Sequence, residues 1–317
     1  MNFVKYEAEM GNAAGAVLSP SGSFDVNEGT AAKKKLKRWQ KAVLIFFSFI
    51  ITLWIGLQLW MSTAEWNIRW SAGYAKLNIT EIIEKPVLSE EDYHTLLMQT
   101  GLGKPSVDYL LEHGDKSDFL QLQKNFFSEP TVFCDKNTPV SAEEMVTDGR
   151  GNKIPGTKII GLEDGDILIT SCCHTFGWRN GHAALVVDAE NHTALESVVM
   201  GTDSCLQDTS KWESFPAFMV FRLKGVSPEE REEIVENAVE KLNGIPYGLT
   251  VGLFSDKFSQ EEVTATHCAH LVWQAYRMFG FDLDSNGGPI VTPQDLSKSP
   301  LLELKQVYGM DPEVLWQ

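Results

Sequence analysis

The chain has 317 residues, enough for one or two domains with a real core, and 43% of them are apolar. It sets 27 Lys and Arg against 43 Asp and Glu, for a formal net charge of −16. That balance excludes nucleic acid as a partner, because phosphate backbones are held by clustered cations on a folded surface. Five cysteines (Cys134, Cys172, Cys173, Cys205 and Cys268) make an odd count, so at least one thiol is unpaired. Their spacing outlines no disulfide framework.

Residues 1–41 are rich in Gly, Ala and Ser and then basic, with Lys33, Lys34, Lys35, Lys37, Arg38 and Lys41 close together. They read as a flexible tail. Residues 42–61, AVLIFFSFIITLWIGLQLWM, carry no charge. A helix of that length crosses a hydrocarbon core of ~30 Å. A core helix of a soluble domain keeps a polar stripe, whereas this run is apolar on every face. The expectation is one transmembrane helix. The cations precede it, which predicts a cytoplasmic N-terminus and an extracytoplasmic C-terminal bulk. Trp39, Trp60, Trp66 and Trp70 fit interfacial anchors. The rival is a signal peptide cut near STA at 62–64; the long leader and long apolar run favour an uncleaved anchor.

Residues 62–150 are predicted as a helical, extracytoplasmic lead-in. Ser89 caps SEEDYHTLLMQTGLG with acids in the first turn and a Gly101-Leu102-Gly103 stop. KPSVDYLLEHG and SDFLQLQKNFFSEP give two further short helices. No residue type here carries chemistry.

From 151 to 317 the pattern changes. KIIGLEDGDILIT, HAALVVD, TALESVVMG and FPAFMVFRL are short, β-rich runs divided by turn residues. SPEEREEIVENAVEKLNG follows as a helix capped by Ser227, with Ile234, Val235, Ala238, Val239 and Leu242 on one face. Strands first and helices after argues for an α+β domain on an antiparallel sheet.

The chemistry centres on THCAHLVWQAYRMFGFD at 266–282, a helix capped by Thr264 or Thr266 with Cys268 in its first turn. Val272, Ala275 and Phe279 are expected to face inward, and His267 and His270 to lie on the surface or behind the site. Helix N–H groups and the dipole favour a thiolate there, and could hold an oxyanion formed by its attack. A thiol nucleophile needs a base. His182 opens the strand HAALVVD, and the next strand carries Glu196. A hairpin closed near 188–191 places Glu196 roughly opposite His182, on one face. A slip of one residue would separate them. A base oriented by a third polar group is the arrangement of a catalytic triad. Against this, a lone buried cysteine is more often packing than nucleophile. SCCH (171–174) and HCAH (267–270) together could also bind zinc, but adjacent Cys172 and Cys173 point apart and match no pair of ligand knuckles. His174 and His192 read as solvated turn residues.

EDGDILIT, NGHAALVV, ALES, GIPYG, HCAHLVWQAYRMFGFDL and VTPQDLSKSP, in that order over about 151–300, resemble the YiiX/YaeF type of permuted papain-like enzymes, within the NlpC-type cysteine peptidase superfamily. The resemblance implies a permuted papain-like domain in which Cys268 attacks a carbonyl, His182 is the base, and Glu196 orients it. It implies a substrate-binding place for Tyr247 beside the cysteine. The family's common Ser and acid after the cysteine are Ala269 and His270 here. The expectation is a membrane-anchored cysteine hydrolase, an amidase or peptidase without cofactor or metal, whose substrate is a peptide or amide such as those of peptidoglycan. A lipid acyl hydrolase or acyltransferase with the same site, and an inactive binding module, are the alternatives.

Overall fold

The computed structural model describes residues 36–63 and 69–316. Most of the expected tail, Trp66 and the end of the STA step lie outside the described residues. The chain divides into two units, residues 1–52 and 53–317. In the first, the described residues belong to helix α1 (Arg38–Thr63) and the two residues before it. Arg38–Met61 is long and apolar enough to cross a membrane.

The second unit opens with four helices: α2 (Thr80–Ile83), α3 (Glu90–Thr100), α4 (Lys104–His113) and α5 (Lys116–Phe126). Ser89 and Asp92 form a reciprocal capping box at the start of α3, and Asp115 and Asp118 form another at α5. The helices enclose a small core of Ile79, Leu96, Leu102, Val107, Phe119 and Leu122. Trp70, half-buried, packs its ring on Phe126 of this helical layer at 5.7 Å. The expected all-helical lead-in ends early. Strands β1 (Thr131–Thr138) and β2 (Ser141–Thr147) form an antiparallel hairpin.

Strands β3 (Ile167–Thr170), β4 (Cys173–Thr175), β5 (Trp178–Arg179), β6 (His182–Asp188), β7 (Thr193–Glu196), β8 (Cys205–Asp208) and β9 (Phe218–Leu223) follow. Helices α6 (Pro228–Leu242), α7 (Cys268–Arg277) and α8 (Pro293–Ser297) lead to a last strand, β10 (Leu302–Tyr308). The strands make two antiparallel sheets, ordered β1-β2-β4-β5 and β10-β9-β3-β6-β7-β8. This is an α+β architecture. Helices α6 and α7 pack against β6 of the larger sheet. Ile234, Val235, Ala238 and Leu242 of α6 are buried there, as the helical period requires, with Val239 half-buried.

Helix α7 departs from the amphipathic expectation. Every residue from Cys268 to Tyr276 is buried, so it is a central helix with no solvent face. Phe279 lies beyond its end and is exposed. The helical lead-in reaches β10 through the α3–α4 connection. Gly103 donates its N–H to Lys305 at 2.8 Å, and Gly101 accepts from Val307 at 2.7 Å. A Cβ on Gly103 would stand 1.9 Å from the Leu304 carbonyl oxygen, so only glycine allows this approach.

Candidate functional site

Three elements of the second unit meet at one cleft: the N-terminus of α7, the start of β6 and the end of β7. The cap of α7 is His267, not Thr264 or Thr266; its side chain accepts the N–H of His270. Cys268 is therefore the first helical residue, buried, with its thiol toward the sheet. His182 follows Gly181, which turns the chain at φ +73°. A Cβ at Gly181 would come within 2.6 Å of the Thr170 carbonyl oxygen and 2.5 Å of Trp316. Glycine at this position thus fixes where the His182 backbone begins.

The β6–β7 register brings His182 and Glu196 together by a different route from the expected one. Leu185 pairs with Leu195 and Val186 with Ala194, but Asp188 pairs with Thr193. Val187 is an extra residue, a bulge. Continuing the register beyond the bulge sets Glu196 level with Ala184, so it lies diagonally from His182 on the same face. Without the bulge, the register set by Asp188 and Thr193 would put Glu196 level with Leu185, on the opposite face.

The carboxylate of Glu196 is fully buried and fully bonded. Oε2 lies 2.8 Å from His182 Nε2 and 3.0 Å from Lys211 Nζ, and Oε1 accepts from Trp212 Nε1 at 2.9 Å. Burial opposes its charge, but the His182 bond and charge, Lys211 and Trp212 outweigh it and pull its pKa from 4.5 down to about 2. The Trp212 ring stacks on the imidazole at 5.5 Å, with 17° between planes. Nε2 is thus occupied, which leaves Nδ1 for Cys268. Burial lowers the basicity of His182, but hydrogen bonds from the Cys268 side and from Glu196 raise it well above its ordinary value. The Cys268 thiol shows the reverse balance: burial pushes it up, and His182 and His267 draw it well below an ordinary thiol. The pair therefore favours imidazolium and thiolate.

Tyr247 lines the same cleft as Cys268 and His182. Burial, then the charge on Cys268, pushes its phenol up, so it stays protonated and can donate. Sequence reasoning missed Trp212 and Lys211, which lie in a 3₁₀ turn (Thr209–Ser214) of no marked periodicity. It also missed Cys173 of β4 and Glu143 of β2, which line the cleft from the smaller sheet.

Of the two places expected for His267 and His270, the helix surface is ruled out: both are buried. His174 is buried too, 2.6 Å from Glu144 Oε1, and is not a solvated turn residue. His192 is exposed, as expected of a turn residue. All five cysteines are free thiols. Among the described residues no group of three or more His, Cys, Asp or Glu is placed to hold a metal ion.

No family model matches the chain, and no curated protein matches it. Among solved structures, the metalloprotein yiiX from Escherichia coli O157:H7, a DUF1105 protein, is similar, at 16% identity. The match covers 45% of this chain and 95% of that one, with a TM-score of 0.33.

Proposed function

We propose that this chain is a cysteine hydrolase that cleaves an amide by acyl transfer through a thioester. The observation that carries the reading is one buried constellation, Cys268–His182–Glu196, opening on a cleft. The Cys268 thiolate attacks the carbonyl carbon, and the carbonyl π pair moves onto oxygen. The Cys268 backbone N–H, at the open end of α7, and the protonated Tyr247 phenol are the donors available to that oxyanion. Collapse breaks the C–N bond, and His182 passes its proton to the departing amine. Water then attacks the thioester; His182 takes its proton, and the acid leaves with the thiolate restored. Glu196 holds the ring in the tautomer this requires.

The cleft measures about 190 Å³, smaller than the pockets that enclose drug-sized ligands. That suits a strand of peptide laid across it with one carbonyl inserted. We further propose that helix α1 anchors the chain in a membrane with this unit on the extracytoplasmic side. Cell-wall peptide amides are then the substrate class within reach. A second reading, hydrolysis of a lipid acyl ester by the same residues, is favoured by the apolar wall of Val198, Val199, Met200 and Leu249.

The test uses the full-length protein in detergent micelles with two substrates, peptidoglycan stem peptides and phospholipid in mixed micelles. Release of a peptide amine, abolished in Cys268→Ala, supports the amidase. Release of fatty acid alone supports the second reading. Turnover unchanged in Cys268→Ala overturns both, and stoichiometric zinc bound through Cys268 would recast the thiol as a ligand. An intact N-terminus in the carbonate-resistant membrane fraction supports the anchor, and a cleaved one shows a signal sequence.

A further inference from the structure

From Leu53 onward α1 falls within the second unit, and its last residues pack on two of that unit's turns. The uncharged run 42–61 spans ~30 Å as a helix, the thickness of a hydrocarbon core, so Met61 stands at the far boundary of that core. Gln58, one helical turn earlier, donates its side-chain amide to the Pro139 carbonyl at 3.1 Å, in the turn between β1 and β2. A polar amide at the edge of lipid thus has its acceptor from the protein. Met61 is buried, beside Gly177 of the turn between β4 and β5. A Cβ on Gly177 would stand 3.1 Å from Met61 Cγ and 3.0 Å from Trp60 Cδ1. Phe176 ties the two turns together by donating its N–H to the Val140 carbonyl at 2.7 Å.

The β4–β5 turn holds aromatic side chains outward. Its two central residues, Phe176 and Gly177, are both at positive φ, +54° and +76°. A two-residue hairpin turn of this kind ordinarily takes Asn, Asp or Gly first, and a bulky residue rarely adopts that backbone. Strain of this sort persists where it serves a function. Phe176 is 41% exposed, and Trp178 beside it 72%. Ser141 pairs with Thr175, and Thr175 with Trp178, so the three stand level across β2, β4 and β5 and share a face. Ser141 and Thr175 line the cleft of Cys268, which puts Trp178 at its rim. We propose that this turn, through Phe176 and Trp178, docks on the bilayer that α1 crosses and holds the rim of the cleft at headgroup level. This rests on the reading of α1 as an anchor, not on the identity of the nucleophile. Tryptophan settles at that level because its ring is apolar while its N–H still reaches water.

Tryptophan fluorescence of the full chain tests this. The chain is reconstituted in phosphatidylcholine vesicles with and without phosphatidylcholine brominated on its acyl chains, a quencher confined to the bilayer. The emission of one tryptophan is the difference between wild type and its Phe variant, Trp178→Phe for the turn and Trp54→Phe for the span. Bromine is expected to remove most of the Trp54 emission and about half of that of Trp178, as for a ring near the headgroups. Phe176→Asn supplies a residue that tolerates positive φ, so it is expected to melt at or above the wild-type temperature. In that background the quenching of Trp178 is expected to fall about twofold, as the turn loses one of its two apolar contacts. The pairing of those two readouts separates contact with lipid from folding. Quenching of Trp54 with none of Trp178 overturns the proposal and leaves the anchor standing. Quenching of Trp178 that Phe176→Asn leaves unchanged also overturns it. Quenching of neither overturns the anchor, and this inference with it.

Discussion

Glu196 is the most constrained side chain of the site. Three groups hold it where burial alone would neutralise it, and each has a distinct consequence. Replacing it by Gln keeps the shape and removes the charge. The imidazolium then loses its counter-charge, so the Cys268 thiol pKa rises, and hydrolysis is expected to fall roughly 10²-fold or more. The matching readout is a rightward shift of the Cys268 alkylation profile in Glu196→Gln. Stability carries the same signature. The pKa of Glu196 is depressed on folding, from 4.5 to about 2. Its contribution is thus present above the unfolded value and is lost as pH falls through that window. Acid titration of the melting temperature should therefore be flatter below pH 4.5 in Glu196→Gln than in wild type. Gly181 is the second constrained position. Gly181→Ala forces a side chain onto the Thr170 carbonyl at positive φ, for a cost of about 1–2 kcal/mol from the backbone alone. Its expected effect is a displaced His182, read as a fall in kcat larger than the loss of melting temperature explains.

At the scale of elements, the His182–Glu196 pair depends on the β6–β7 register on the far side of the bulge. Deleting Val187 joins Val186 to Asp188 and keeps the pairs on either side of it, so Glu196 stays level with Ala184 and on the face of His182. A folded deletion variant is expected to keep the wild-type Cys268 alkylation profile; an ordinary thiol there would argue against this register. The bulge also marks where the sequence stops being readable. Helix α6 is legible from its cap and its period of 3.6, because those signals are local. The closeness of His182 and Glu196 is legible from hairpin spacing, but the bulge is not, because Val187 looks like any other strand residue. Helix α7 misleads for a related reason. Its apolar stripe is real, yet tertiary packing from α6, α8 and β6 surrounds it, so polar His270 and Gln274 are buried as well. The supports from Trp212 and Lys211 carry no pattern at all, since a 3₁₀ turn has too few residues to show one.

Across the molecule, a buried charge cluster ties the sheet to its neighbours. Asp166, just before β3, bonds Arg222 of β9 at 2.8 and 3.0 Å and Lys305 of β10 at 2.6 Å. Arg222 continues to Glu163, which also bonds Arg231 of α6. Asp166→Asn leaves Lys305 with an uncompensated buried charge and is expected to cost about 3–5 kcal/mol. Urea unfolding measures it, and the same change on an exposed acid such as Glu229 serves as the comparison. The cluster joins segments more than a hundred residues apart, which is why no local reading of the sequence finds it.

The meeting of the α3–α4 connection with β10 has a consequence for biosynthesis. During synthesis the helices emerge early, and the strand whose backbone they bond is made some two hundred residues later. Until then the glycine-lined edge at 101–103 has no partner, and β9 shows an open side. A chain interrupted before residue 302 would display both at once, a form that chaperones and proteases recognise. The nucleophile and its base would both be present in such a chain, yet the sheet carrying them would not be closed. Linking these helices to β10 thus lets quality control distinguish a chain whose sheet has closed from one whose sheet has not.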